Sequence, residues 1–71
     1  MLKAVKTRNL LSAMRKLGFR EVRQKGSHLF MEHPDGRTTV IPIHDEIKVS
    51  LLTKIIKEDL KMGKEAFEKL L

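Results

Sequence analysis

Two turn signals divide the middle of this chain into three short segments, and they restrict its fold more than any other feature. Residues 33–36 read His-Pro-Asp-Gly, in which proline fixes φ and Asp-Gly supports a reversal. A weaker turn signal, Lys-Gly, stands at residues 25–26. The segments at 19–24, 27–32 and 37–41 have the length of strands, and the last is rich in β-branched residues. Three short strands joined by tight turns predict an antiparallel meander.

An apolar stripe with helical spacing precedes these segments, made up of Leu10, Leu11, Met14 and Leu17. It predicts a first helix at residues 8–17, with Thr7 as its N-cap. Gly18 follows the stripe and can adopt the left-handed conformation that ends a helix. Residues 1–6 show no periodic pattern, so we expect a frayed lead-in there.

A second apolar stripe follows the three segments. It predicts a helix at about residues 51–61, with Ser50 as its N-cap and Gly63 as the residue that breaks it. Residues 64–71 repeat the spacing over a shorter length and predict a third helix. The order is therefore helix, three strands, helix and a short C-terminal helix.

This order predicts an α+β fold. Residues 1–71 make a single domain, and they are too few to cover both faces of a three-stranded sheet. We therefore expect both main helices on one face, with the other face left to solvent or to a partner. An α-β-β-β-α order of this kind is the layout of a double-stranded-RNA-binding-type fold, which by itself does not give a function.

The charge of the chain favours a polyanionic partner. Fifteen Lys and Arg residues stand against nine Asp and Glu, for a formal net charge of +6. Between Arg8 and Lys25 there are six basic residues and one acid, whereas most acids lie from Asp45 onward. A basic half of this kind indicates nucleic acid more strongly than net charge does, although a solvated basic surface is the simpler alternative.

Compartment and cofactors are constrained mainly by residues that the chain lacks. It has no cysteine, which excludes disulfides and thiolate metal ligands. The first residues do not form the apolar core of a signal peptide, and no apolar stretch approaches the ~20 residues of a membrane span. We expect a cytoplasmic protein with no membrane contact. Three scattered histidines make a poor metal site, so no metal or other cofactor is expected.

His28 is the side chain best suited to move a proton, because imidazole titrates near neutral pH. RNA contains its own nucleophile, the 2′-hydroxyl, which a histidine can deprotonate while neighbouring cations stabilise the phosphate. The alternative is that His28 is only a polar strand residue. If Leu29 and Met31 face the core, alternation places His28 outside with Phe30, which could stack a base or anchor a partner.

Several groups around His28 are suited to a phosphate. Gly26 allows a phosphate to approach the backbone closely, and Lys25 and Ser27 supply hydrogen-bond donors. The alternative is that these three residues only form an ordinary hairpin turn. Arg23 and Arg37 are further candidate phosphate contacts, against the alternative of a solvated basic face.

The other two histidines are weaker candidates for chemistry. His33 precedes a proline in a tight turn, so we expect a turn residue and not a ligand. His44 remains open as a second acid/base group or a substrate contact.

Taken together, these motifs resemble the HicA toxin family over roughly residues 8–71. The resemblance rests on Gly-Ser-His at residues 26–28 with the preceding basic residues, His-Pro-Asp-Gly-Arg at 33–37, Leu-Gly-Phe at 17–19, Val40 with Pro42, and Ile-Lys at 47–48. Two departures concern the second helix. Val-Ser replaces the family's usual sequence before it, and the helix is apparently one residue longer.

The resemblance implies a small ribonuclease of a toxin–antitoxin system that cleaves mRNA and arrests translation. It implies that His28 is the catalytic residue and that no metal is required. Arg23, Lys25, Gly26, Ser27 and Arg37 are expected to bind RNA. The expected partners are mRNA and a cognate HicB-type antitoxin that covers the active site. We expect a monomer alone and a higher-order complex with the antitoxin.

Two other functions fit the same sequence. A non-catalytic module for structured RNA would retain uncut RNA in a salt-dependent way, and its expression would be tolerated by a cell. A protein-interaction domain would use its basic surface to meet an acidic partner. An adjacent reading frame for an antitoxin-like protein would favour the toxin over both.

Overall fold

The computed structural model describes residues 2–71 and confirms an α+β fold. A three-stranded antiparallel sheet in the order β2-β3-β4 is accompanied by a two-stranded sheet, β1-β5. The elements in chain order are β1 (Val5–Lys6), α1 (Thr7–Leu17), β2 (Arg20–Lys25), β3 (His28–Glu32), β4 (Thr38–Pro42), β5 (Glu46–Ile47), α2 (Val49–Lys54), a π-helical turn (Ile55–Asp59) and α3 (Lys64–Glu68). Within the described residues, no helix is long and apolar enough to cross a membrane.

The core lies between the helices and one face of the larger sheet. Leu29 and Met31 of β3 are buried, and Leu29 pairs with the buried Ile41 of β4. Both main helices supply the opposite side of this core, through Leu10, Ala13 and Met14 of α1 and Leu52, Ile55 and Ile56 of the second helix. Within residues 2–71, no helix covers the other face of the sheet, as expected from the length of the chain.

β2 extends beyond the layer of helices. All six of its residues are exposed, whereas β3 and β4 alternate between buried and exposed positions. The helices therefore cover one face of β3 and β4 but neither face of β2. β2 is held mainly by its ladder to β3.

The first helix ends as predicted but begins differently. Gly18 has φ of 107°, and its N–H donates to the carbonyl of Arg15 at 3.0 Å. Thr7 is not the N-cap, because it is the first helical residue and Lys6 precedes it without a side-chain cap. The Thr7 hydroxyl instead donates to the carbonyl of His44. The Thr7 hydroxyl thus bonds to a residue far along the chain and does not cap its own helix.

The frayed lead-in expected at residues 1–6 is wrong for its last two residues. Val5 pairs with Ile47, and Lys6 pairs with Glu46, in a short antiparallel ladder. This pairing joins segments far apart in sequence, which a local pattern does not reveal. The part of the prediction that concerns Met1 lies outside the described residues.

The second helix also differs at both ends. It begins at Val49 with Lys48 as N-cap, so Ser50 lies inside the helix and is not its cap. Its second half is π-helical, with the N–H of Leu60 donating to the carbonyl of Ile55 at 2.9 Å. The helix therefore covers residues 49–59, two residues earlier in the chain than the predicted 51–61.

The sequence predicted that Gly63 would break this helix. The chain instead adopts the left-handed conformation at Lys61, which has φ of 53° and lies two residues after the π-helical turn. Gly63 is extended and precedes α3, which covers Lys64–Glu68 and is shorter than the predicted 64–71.

Candidate functional site

The site predicted around His28 lies at the tip of the β2–β3 hairpin. Lys25 and His28 pair across a two-residue turn formed by Gly26 and Ser27. Gly26 has φ of 59°, and Ser27 does not share this positive φ. A positive φ at the first central position alone is the requirement of a type II′ turn, which glycine meets without strain. The Lys-Gly signal therefore marks a real hairpin.

Two further hydrogen bonds hold this turn in place. The side-chain amide of Gln24 donates to the carbonyl of Gly26 at 3.1 Å. The N–H of Ile43 donates to the carbonyl of Ser27 at 2.6 Å, which fastens the turn to the chain leaving β4. The tip of the hairpin is thus supported from both neighbouring strands.

The outer face of the sheet is built from rows of residues that lie opposite one another. The row at the hairpin tip contains Lys25, His28 and Pro42, the next row contains Arg23, Phe30 and Val40, and the last contains Arg20, Glu32 and Thr38. The predicted alternation is confirmed, because Leu29 and Met31 are buried while His28 is exposed.

The basic residues nearest His28 are not neutralised by carboxylates. Arg15 and Arg20 form ion pairs with Glu21 and Glu32. In residues 2–71, neither Arg23 nor Lys25 has such a partner, and the imidazole of His28 makes no hydrogen bond. The guanidinium of Arg23 instead lies over the ring of Phe30, at 4.8 Å from its centroid. An exposed imidazole beside two free cations can exchange a proton while an anion is bound.

The structure brings Arg23, Lys25, Gly26, Ser27 and His28 together but separates Arg37 from them. Arg37 precedes the end of β4 that pairs with Glu32, roughly 13 Å along β3 from His28. That Arg37 binds RNA stays a prediction.

Arg37 makes several contacts within the fold. Its Nε donates to Asp35 at 2.8 Å, and one of its terminal nitrogens donates to the carbonyl of Leu60 at 2.6 Å. Its guanidinium also lies 5.3 Å from the centroid of the Phe19 ring. These contacts tie the β3–β4 turn to the end of the second helix.

Asp35 responds to the same arginine. Its pKa is lowered, mainly because the backbone N–H of Arg37 donates to the carboxylate, with a further contribution from the Arg37 guanidinium. The charged form of Asp35 is thus favoured by the folded turn.

His33 lies in the turn between β3 and β4, as expected, and both of its ring nitrogens are engaged. The N–H of Asp35 donates to Nδ1 at 3.1 Å, and a carboxylate oxygen of Asp35 lies 3.0 Å from the same nitrogen. Nε2 donates to the carbonyl of Leu17 at 2.9 Å. The ring also packs on Gly18, where an added Cβ would lie 2.9 Å from Nε2. His33 therefore connects the end of α1 to the turn.

His44 lies just beyond the hairpin tip. It follows Ile43, which is bonded to Ser27, and its N–H donates to the carbonyl of Pro42 at 2.9 Å. His44 is exposed and lines a groove together with Lys6 and Arg8. A role for His44 in chemistry stays a prediction. Within residues 2–71, no group of three or more His, Asp or Glu side chains is arranged to hold a metal ion.

Sequence reasoning missed one feature of this site, the stack of Arg23 on Phe30. Strand alternation placed Phe30 outside, but it did not give the cross-strand register. That register depends on a β-bulge between Glu21 and Arg23, which leaves Val22 without a direct partner.

The chain matches a family model described as "HicA toxin of bacterial toxin-antitoxin" over residues 7–59. This span runs from the first residue of α1 to the last residue of the π-helical turn, and it includes the complete three-stranded sheet. A comparison with curated protein sequences gave no significant match.

Proposed function

Because the chain belongs to the HicA toxin family of bacterial toxin–antitoxin systems, we propose that it is an endoribonuclease that cleaves mRNA with His28 as its general acid/base. The family makes it the toxin of such a system and implies an antitoxin as its partner.

The observation that carries the proposal is the state of His28. Its imidazole is exposed, makes no hydrogen bond within residues 2–71, and lies directly opposite the unpaired Lys25. His33, by contrast, has both ring nitrogens bonded within the fold. This imidazole and its cation are available to a ligand.

In the proposed reaction, the neutral imidazole of His28 takes the proton of a ribose 2′-hydroxyl. The 2′-oxygen attacks the adjacent phosphorus, and the bond from phosphorus to the 5′-oxygen breaks. The products are a 2′,3′-cyclic phosphate and a 5′-hydroxyl, whose oxygen takes up a proton as it leaves. The reaction consumes no other reactant, and the family resemblance implies that it needs no metal.

The neighbours of His28 supply the electrostatic part of this chemistry. Lys25 and Arg23 are cations placed on the same face, and both stabilise the charge that builds up on the phosphate. Gly26 presents no side chain at the turn, so a phosphate can approach the backbone closely. Ser27 offers a hydroxyl donor beside it.

The outer face also accounts for inhibition. A HicB-type antitoxin that covers the hairpin tip would hide His28 and Lys25 together from mRNA. We propose that the toxin is a monomer when free and joins a higher-order complex with its antitoxin. Since mRNA is the substrate, the proposed compartment is the cytoplasm.

The test is to incubate the purified protein and its His28→Ala variant with a long single-stranded RNA in EDTA. We expect fragments from the wild type and a loss of ~10²–10⁴ in rate for the variant. Circular dichroism checks that both proteins are folded. Fragments ending in a 2′,3′-cyclic phosphate would identify the 2′-hydroxyl as the nucleophile.

Two results would contradict the proposal. Equal cleavage by both folded proteins would remove His28 from the mechanism. Intact RNA that both proteins retain at low salt would favour the alternative function, a non-catalytic RNA-binding module of the same fold.

A further inference from the structure

A shallow cavity of about 300 Å³ opens on the outer face of the sheet, in the row next to His28. Val22, Phe30 and Val40 give it an apolar floor, and Arg23 stands at its side. Val22 and Val40 are 55% and 40% exposed, so these apolar groups are not used by the core. The bulge in β2 is the reason that Val22 joins this surface.

The stack of Arg23 on Phe30 makes this surface suited to a planar ligand. One side of the guanidinium faces the Phe30 ring at 4.8 Å from its centroid. No carboxylate of the described residues pairs with Arg23, so its hydrogen-bonding groups are free. Aromatic rings and guanidinium planes are the surfaces on which unpaired bases of RNA stack.

We propose that this cavity, the base site, receives a nucleobase of the single-stranded RNA whose phosphate lies at His28. The inference rests on the proposed function and adds to it the position of a base. Phe30 lies two residues from His28 on the same face, which is roughly 7 Å along the strand. A base attached to the reacting nucleotide or to its neighbour spans such a distance.

The charge around the cavity favours RNA over a protein side chain as its occupant. Arg23 lines the cavity, Lys25 lies one row nearer His28, and both are unpaired in residues 2–71. The one carboxylate that lines the cavity, that of Glu32, is paired with Arg20 at 3.5 Å. An apolar partner residue would bury this guanidinium without neutralising it, and burying an unpaired charge is costly. A nucleotide brings a flat ring for the floor and a phosphate for the cations.

The test separates the base from the phosphate. In a His28→Ala background, which keeps the RNA intact, binding is measured for a short single-stranded oligoribonucleotide and for an abasic oligonucleotide of equal length. We expect removal of the bases to weaken binding by roughly 5- to 100-fold. Phe30→Leu keeps apolar volume but removes the ring, and it should abolish most of this difference while leaving the abasic affinity unchanged.

Two further variants complete the test. Arg23→Gln alters an exposed residue, so it reports on the stack even if Phe30→Leu is poorly folded. It should weaken binding of both ligands, and of the oligoribonucleotide more. Val49→Ala removes an exposed apolar side chain elsewhere, at the start of α2, and should change neither affinity.

The base site and the proposed chemistry fail in different ways. A base-dependent affinity that vanishes in Phe30→Leu supports the base site even if the wild type cleaves no RNA. If the wild type cleaves RNA but Phe30→Leu keeps the full base-dependent difference, the base site is wrong and the chemistry stands. Loss of antitoxin binding in Phe30→Leu with unchanged RNA binding would also overturn the base site and assign the cavity to the protein partner.

Discussion

Two clusters in this molecule contain the same three residue types and differ in how their polar groups are satisfied. The outer cluster consists of His28, Phe30 and Arg23, and the inner cluster consists of His33, Phe19 and Arg37. In the inner cluster both imidazole nitrogens are hydrogen-bonded, the arginine has a carboxylate and a carbonyl, and the phenylalanine is buried. In the outer cluster the imidazole and the guanidinium have no such partners within residues 2–71.

This difference shows that residue types alone do not identify a site. Each cluster stacks an arginine on a phenylalanine, and each has a histidine next to a turn. The inner cluster uses its polar groups to join α1, the β3–β4 turn and the end of the second helix. The fold leaves the polar groups of the outer cluster unbonded and exposed within residues 2–71, so a ligand can reach them.

The two histidines provide the sharpest contrast. His28→Ala should reduce RNA cleavage by ~10²–10⁴ and leave the free energy of unfolding nearly unchanged, because the imidazole supports no other group. His33→Ala should lower the free energy of unfolding by about 1–2 kcal/mol, because it leaves the Leu17 carbonyl and the Asp35 N–H unpaired. Urea denaturation and cleavage rates of both variants measure the two effects.

The contrast would be broken by the reverse outcome. If His33→Ala stopped cleavage at a temperature where the protein is fully folded, the inner cluster would belong to the site. If His28→Ala unfolded the protein, the imidazole would have a structural partner.

The two arginines should differ in the same way as the two histidines, with the inner residue contributing more to the free energy of unfolding. Arg37→Gln should lower the free energy of unfolding by about 1–3 kcal/mol, since it removes the ion pair to Asp35 and the bond to the Leu60 carbonyl. Arg23→Gln should lower it by at most about 0.5–1 kcal/mol, because it removes only an exposed stack on Phe30.

RNA binding tests both arginines as phosphate contacts. The dependence of log affinity on log salt should become shallower by about one unit for Arg23→Gln, and by a similar amount for Arg37→Gln if Arg37 binds RNA. An unchanged dependence for Arg37→Gln would overturn the prediction that Arg37 binds RNA.

Acid should weaken the inner cluster alone, and this is the smallest effect. The pKa of Asp35 is lowered from 3.8 in the folded protein, so its stabilising contribution is complete above 3.8 and is lost as the pH falls through the folded value. Asp35→Asn should therefore be less stable than the wild type at neutral pH, and the difference should shrink in acid. Urea denaturation at several pH values measures this change.

The outer cluster supplies the control for the acid effect. Arg23→Gln removes a charge that has no carboxylate partner in residues 2–71, so its stability relative to the wild type should not vary over the same range. A difference for Asp35→Asn that stayed constant in acid would show that the carboxylate is not held by Arg37.

The sheet was predictable from sequence because its determinants are local. The His-Pro-Asp-Gly turn and Gly26 restrict the chain where they stand, and alternation places Leu29 and Met31 on the buried face. The helix ends were less predictable. Thr7 bonds to His44 and not to its own helix, and Lys61 takes the left-handed conformation that glycine would adopt more easily. At Thr7 a tertiary contact overrides the local preference.

The part of the candidate site that lies in one short segment could also be predicted, because its determinants are local. Lys25, Gly26, Ser27 and His28 are consecutive, so a hairpin brings them together whatever the rest of the chain does. The position of Arg37 depends on the end of the second helix, where it bonds to the carbonyl of Leu60. No pattern near residue 37 indicates that contact, and the motif alone could not separate a phosphate contact from a structural one.

The exposure of β2 on both faces has a consequence for how this toxin can evolve. None of its six residues is buried, so most substitutions in this strand cost the fold little. Three of them, Arg23, Lys25 and the bulged Val22, nevertheless surround the proposed site. If the proposed function holds, substitutions in β2 would alter recognition of RNA, or of a particular antitoxin, while the core that folds the protein stays the same.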